Sequence, residues 1–202
     1  MIRWLKDRHT SPALLLAAAI FLANAAPVSA QAQAPNHKVP TPEQKDFQAE
    51  MAQYLSQHEA LSAKAQAALE AEMDREKKGD CPDARTTFAV EQCLSTEIEK
   101  TQANYAIFAG AIRAMLALSV PTMPGEPPSI GPTGASPTAT EDANEFDQLE
   151  AESKQYRDHA AAAAYNQYRG GTEAPVAEAQ QRLLRLHFQE VAFIYESLLS
   201  NR

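Results

Sequence analysis

Residues 94–115 read LSTEIEKTQANYAIFAGAIRAM. Leu94, Ile98, Tyr105, Phe108, Ile112 and Met115 recur at spacings of three, four or seven, the period of one face of a helix. This is the strongest apolar face in the chain, and Thr86 or Thr87 stands where a capping residue would open it. Such a face needs a partner, and the segment upstream offers one. Thr41-Pro42-Glu43-Gln44 combines a capping threonine, a proline at the first helical position and a glutamine that reaches back. A first helix is predicted from about Pro42 to Lys78, with Gly79 as its stop. Phe47, Met51, Tyr54, Leu61, Ala65, Ala68 and Glu72 form its approximate seven-residue stripe, with Leu55, Leu69 and Met73 beside it. Asp80-Cys81-Pro82-Asp83 reads as the turn between the two helices.

Downstream, Ser119 to Ala143 holds six prolines and three glycines with almost no bulky apolar residue. It reads as a flexible insertion that neither forms a helix nor enters a core. Asn144 is placed to cap a third helix, on which Phe146, Leu149, Tyr156 and Ala163 share a face. Gly170-Gly171 ends it, Thr172 caps a fourth, and Pro175 sits in the tolerant first turn. Val176, Leu183, Leu186, Val191, Ile194 and Leu198 make the last stripe. No strand-like alternation occurs. The expectation is an all-α domain over residues 42–202: four helices in two antiparallel hairpins forming a bundle, with the Pro-rich insertion (119–143) between the hairpins.

The chain opens differently. Arg3, Lys6 and Arg8 make a basic head, Ala13 to Ala26 an apolar stretch of 14 residues, and Val28-Ser29-Ala30 a small-x-small site. Residues 1–30 read as a secretory signal peptide cleaved after Ala30, too short and too interrupted (Asn24) to anchor in a membrane. Residues 31–41 read as a disordered polar tail. The expected location is the periplasm or the exterior, with no stable membrane anchor after cleavage. Removing Arg3, Lys6, Arg8 and Asp7 takes Lys plus Arg from 18 to 15 and Asp plus Glu from 26 to 25, a net charge of −10. Such a chain does not seek nucleic acid, and it would attract a cationic protein partner. Cys81 and Cys93 are the only cysteines, and in an oxidising space a close pair is most simply a disulfide.

No motif names a reaction. Asp147, Glu150 and Glu152 look like the wet face of a helix, and no Ser/His/Asp signature, nucleotide loop or Cys-His context is present. His58, His159 and His187 fall on three different helices without metal-ligand spacing, so neither a metal nor a cofactor is expected.

Two segments carry a resemblance. One is Cys81-Pro82-Asp83-Ala84-Arg85-Thr86-Thr87 followed by Cys93. The other is Tyr156-Arg157-Asp158, then Tyr168-Arg169-Gly170-Gly171-Thr172 and Pro175. In these the chain resembles the LprI-type lysozyme-inhibitor family of small, secreted helical proteins, as a divergent member. The second cysteine pair often found in that family is absent: His159 stands where one cysteine is expected, and Ser153 stands where tryptophan is usual. The resemblance implies a non-catalytic binding protein that occludes a lysozyme. Tyr156, Arg157, Asp158, Gly170, Gly171 and Thr172 are then the candidate partner-binding residues, on a frame held by Cys81 and Cys93. Two plainer uses compete. Arg157 could tie to a carboxylate on a neighbouring helix, and Gly170-Gly171-Thr172 could be a simple connection or could offer backbone amides to an anion. A second class of function, a structural or adaptor module of the envelope, follows from the length of the first helix. The oligomeric state is left open by the sequence.

Overall fold

The computed structural model describes residues 41–123, 125, 138–167 and 171–200, and the structural statements below concern these. The predicted signal peptide, the tail before Thr41, most of the Pro-rich insertion and Gly170 lie outside the described residues. The elements are α1 (Pro42–Lys78), α2 (Thr87–Leu116), α3 (Ala139–Gln167), α4 (Ala174–Ile194) and a single turn, α5 (Glu196–Leu199). No strand occurs among the described residues, and no helix there is long and apolar enough to cross a membrane.

The first helix starts and stops where its sequence dictates. Thr41 and Gln44 form a reciprocal capping box, with the Thr41 amide donating to Gln44 Oε1 at 2.9 Å and the Gln44 amide donating to Thr41 Oγ1 at 3.3 Å. Gly79 ends α1 at φ 78°, a left-handed conformation that other residues adopt only with strain. Thr86 caps α2 by accepting the Ala89 amide at 3.2 Å. The disulfide Cys81–Cys93 forms, tying the α1–α2 connection to the second turn of α2.

The third helix departs from expectation. It begins at Ala139, not at Asn144, so the last residues assigned to the insertion are helical and Ala143 is buried in the core. The cause is a second capping box, Thr138-Ala139-Thr140-Glu141. There the Thr138 amide donates to Glu141 Oε2 at 2.6 Å, and the Glu141 amide donates to Thr138 Oγ1 at 3.3 Å. The near end of the insertion is also partly placed: Ser119 to Thr122 line one cleft with Glu50, Tyr54 and Gln57 of α1.

Side-chain pairs set the topology. Arg75 meets Glu97, and Glu72 meets Thr101, so α1 and α2 are antiparallel. Glu150 meets His187, and Phe146 meets Tyr195, so α3 and α4 are antiparallel as well. Thr101 against Gln181 and Phe108 against Phe188 set α2 and α4 parallel, as in an up-down-up-down bundle. The two expected hairpins are present. Helix α2 is central, with α1 packed on it, while α3 packs mainly on α4.

The apolar core sits at one end. Phe108, Phe146, Phe188, Ile112 and Val191 are fully buried, joined by Ala65, Ala68, Ala111 and Met115. Phe108 and Phe188 pack with their rings tilted at 46° and 4.8 Å between centroids, and Tyr105 meets Phe188 edge-on at 5.1 Å. The α1 and α2 stripes are the faces expected. The α3 and α4 stripes are so only in part, at Phe146 and Val191. On α3 the inward row is Ala143, Phe146, Glu150, Ser153, Arg157 and Ala161, while Tyr156 and Ala163 are exposed. On α4 it is Gln181, Leu184, Arg185, His187, Phe188 and Val191, while Leu186 and Ile194 face out. The reason is the same in both helices. The inward row is interrupted by polar residues, so apolar periodicity selects a neighbouring row.

Reducing the disulfide, or replacing both cysteines by serine, should lower the unfolding free energy by about 3 kcal/mol in denaturant titrations, with helical circular dichroism retained.

Candidate functional site

Two polar clusters occupy the end of the bundle nearest the disulfide. The first is built around Glu72, 3 % exposed on the inward face of α1. Its carboxylate accepts from Arg185 Nε at 2.9 Å, Thr101 Oγ1 at 2.8 Å, Asn104 Nδ2 at 3.0 Å and Arg75 Nη1 at 2.5 Å. Arg185 turns its other two nitrogens to Asp80, Nη1 at 2.6 Å and Nη2 at 2.7 Å, in a two-pronged pair. Arg75 also reaches Glu97, and Gln181 donates to Thr101 at 2.9 Å. Burial pushes the Glu72 carboxyl up. The hydrogen bonds from Arg185, Thr101 and Asn104 and the charge of Arg75 more than offset this and hold it below its ordinary value. Arg185 is likewise held in its charged form: burial opposes it, and Asp80 and Glu72 outweigh burial.

The second cluster lies between α2, α3 and α4. His187 is 4 % exposed. Its Nε2 stands 2.9 Å from Glu150 Oε1 and 2.7 Å from the Tyr105 hydroxyl, and its Nδ1 stands 2.8 Å from Ser153 Oγ. Tyr105 also donates to Glu150, and Arg157 Nη1 donates to Ser153 Oγ at 2.9 Å. One proton arrangement satisfies every group. Arg157 donates to Ser153, Ser153 donates to Nδ1, and Nε2–H and the tyrosine hydroxyl both point to the carboxylate, which only accepts. Burial, then the hydrogen bond to Glu150, raises the Tyr105 hydroxyl far above its ordinary value. Burial pushes Glu150 up, but the bonds from His187 and Tyr105 prevail and its carboxyl lies below the usual range.

Ser153, His187 and Glu150 are residue types that hydrolases use. The Ser153 oxygen accepts from Arg157, and Ser153 is not among the residues that line the adjoining cleft. The geometry ties three helices together and sets Arg157 in place.

That cleft, about 260 Å³, runs over the second cluster. Ile98, Gln102 and Tyr105 line it from α2, Lys154, Arg157 and Asp158 from α3, and Gln180 and Leu184 from α4. Of the candidate residues, Arg157 and Asp158 therefore sit at its wall, with Asp158 paired to Lys154 at 2.7 Å on the surface. Tyr156, next in sequence, is 65 % exposed and does not line the cleft. Among the described residues Arg157 bonds within its own helix, to Ser153. Gly171 and Thr172 do not line this cleft. Gly171 and Thr172 are exposed, and the anion before the start of α4 is internal. Glu91 of α2 accepts from the Thr172 hydroxyl and from the amides of Glu173 at 2.7 Å and Ala174 at 3.2 Å, which holds its carboxyl low. Cys81 and Cys93 brace the loop whose Asp80 receives Arg185. Among the described residues no three His, Cys, Asp or Glu side chains converge where a metal could be held.

Sequence reasoning passed over both clusters because their members are far apart in the chain. A trace was present: Phe146, Glu150, Ser153 and Arg157 follow a three-four spacing, so they share a row of α3. No family model, curated protein or solved structure matches the chain.

Glu72 gains stability on ionising in the fold, so its contribution is present above its ordinary value of 4.5 and is lost as pH falls below that. The unfolding temperature should drop below pH 4.5, and Glu72→Gln should make that drop shallower. Glu72→Ala, which strips Arg185 and Arg75 of their shared acceptor, should cost about 3 kcal/mol at neutral pH by chemical denaturation.

Proposed function

We propose that this chain is an exported, non-catalytic binding protein, similar to LprI-type lysozyme inhibitors, that blocks a cationic cell-wall hydrolase by steric occlusion. The observation that carries the reading is the mouth of the α2–α3–α4 cleft. Arg157 and Asp158 stand on its wall, on a frame held by the buried clusters and the disulfide, and Tyr156, next to them in sequence, is an exposed ring of α3 outside that wall. Tyrosine and arginine are the residue types that dominate binding at protein interfaces, and a preset arginine loses little freedom when it binds. The negative charge of the chain supports steering toward a cationic partner. The disulfide and the basic-then-apolar leader support export to an oxidising compartment, the periplasm or the exterior. Gly171 and Thr172 contribute to this reading less than Tyr156 does, because the hydroxyl of Thr172 is already spent on Glu91.

A second reading is an adaptor of the cell envelope that pairs through α1. It is favoured by the first turns of that helix, where no residue before Ser62 is buried and Leu55 stands 57 % exposed.

The test is titration of purified protein into assays of the several lysozyme classes at low and moderate salt. Inhibition that weakens with salt is expected. Tyr156→Ala should raise the inhibitory concentration tenfold or more, about 1.4 kcal/mol or greater, with an unchanged unfolding temperature. No inhibition of any class would overturn the first reading. Capture of an envelope protein that is lost on Leu55→Glu and kept on Tyr156→Ala would favour the second.

A further inference from the structure

The outward face of α4 carries three large apolar side chains exposed to solvent. Leu186 is 51 % exposed, Phe193 78 % and Ile194 49 %, while the opposite face of the same helix is packed into the core. Ala179, Leu186 and Phe193 follow a seven-residue repeat, which keeps one row in register along a partner helix. Arg182 and Glu190 flank that row. Both are exposed, and neither enters an ion pair among the described residues.

We propose that this face binds a second copy of the chain, with the two α4 helices antiparallel and Leu186 on the two-fold axis. The pattern is self-complementary about that residue. Arg182 lies four positions before Leu186 and Glu190 four positions after it, so each Arg182 faces the other copy's Glu190. Ala179 lies seven before and Phe193 seven after, so the exposed Phe193 ring of one copy meets the small Ala179 side chain of the other. Parallel pairing would set arginine on arginine, glutamate on glutamate, and ring against ring with a gap at Ala179. Both charge and size therefore select the antiparallel arrangement. Gln180 and Leu184, which line the cleft, lie on another side of α4, so pairing leaves the cleft free. One helix against another buries less area than a permanent dimer needs, so the association is reversible and depends on concentration.

Sedimentation velocity on the full chain, from micromolar to millimolar concentration, tests this. A monomer–dimer equilibrium is expected. Leu186→Glu should abolish the dimer without changing the circular dichroism spectrum. Arg182→Glu and Glu190→Arg should each weaken it several-fold, and an equimolar mixture of those two variants should restore it, because the mixed pair has opposite charges at both contacts. A monomer at every concentration overturns the proposal. So does a dimer untouched by Leu186→Glu, or a mixture no stronger than its components, which would place the contact elsewhere or in the parallel sense.

Discussion

The carboxylate of Glu72 is the point on which the rest of the structure depends. It collects donors from α1, α2 and α4 at once, and through Arg185 it reaches Asp80 beside the disulfide. Withdrawing such a charge from water is expensive, and the cost is offset only when every lone pair has a donor. That requirement admits one axial offset between the helices. A shift of one turn would leave a buried anion or a buried guanidinium alone, whereas a purely apolar seam would tolerate several registers. The cluster therefore specifies the arrangement more than it adds net stability. The disulfide acts beside the same place by a different route, closing the loop from Cys81 to Cys93 that follows Asp80 and so restricting the unfolded chain there.

The bundle is consequently divided along its axis. One end is apolar and aromatic, built from Phe108, Phe146, Phe188, Ile112 and Val191. The other is a pair of hydrogen-bonded networks, one around Glu72 and one around His187. The second network opens at its edge into the cleft, and Arg157 is shared between them: its guanidinium holds Ser153 from outside and forms part of the cleft wall. A side chain held in this way is preorganised, and preorganisation is what a binding surface gains from a rigid interior.

Much of the fold was legible. The bounds of α1 follow from its capping box and from Gly79, which are local chemistry. The inward face of α2 follows from an apolar row in which Thr101 is the one buried polar residue. The start of α3 was legible too: Thr138 and Glu141 spell a capping box, but the prolines around them directed the reading to Asn144. The candidate site was legible only as a set of residue types. Tyr156 is exposed and Arg157 lines a cleft, but the partner of Arg157 is Ser153, four residues away on its own helix. The turn at Gly171-Thr172 serves α4 and Glu91, not the cleft.

What the chain determined by itself was therefore helical content, helix ends and the pairing of its two cysteines, because caps, glycines and short loops act over a few residues. What only the tertiary structure decided was which faces of α3 and α4 turn inward. On each of those helices the inward row is broken by polar residues, and the choice was made by their partners: Glu150 with His187, Arg185 with Glu72. A buried polar residue declares its orientation only when the group that satisfies it, dozens of residues away, is brought within hydrogen-bond reach.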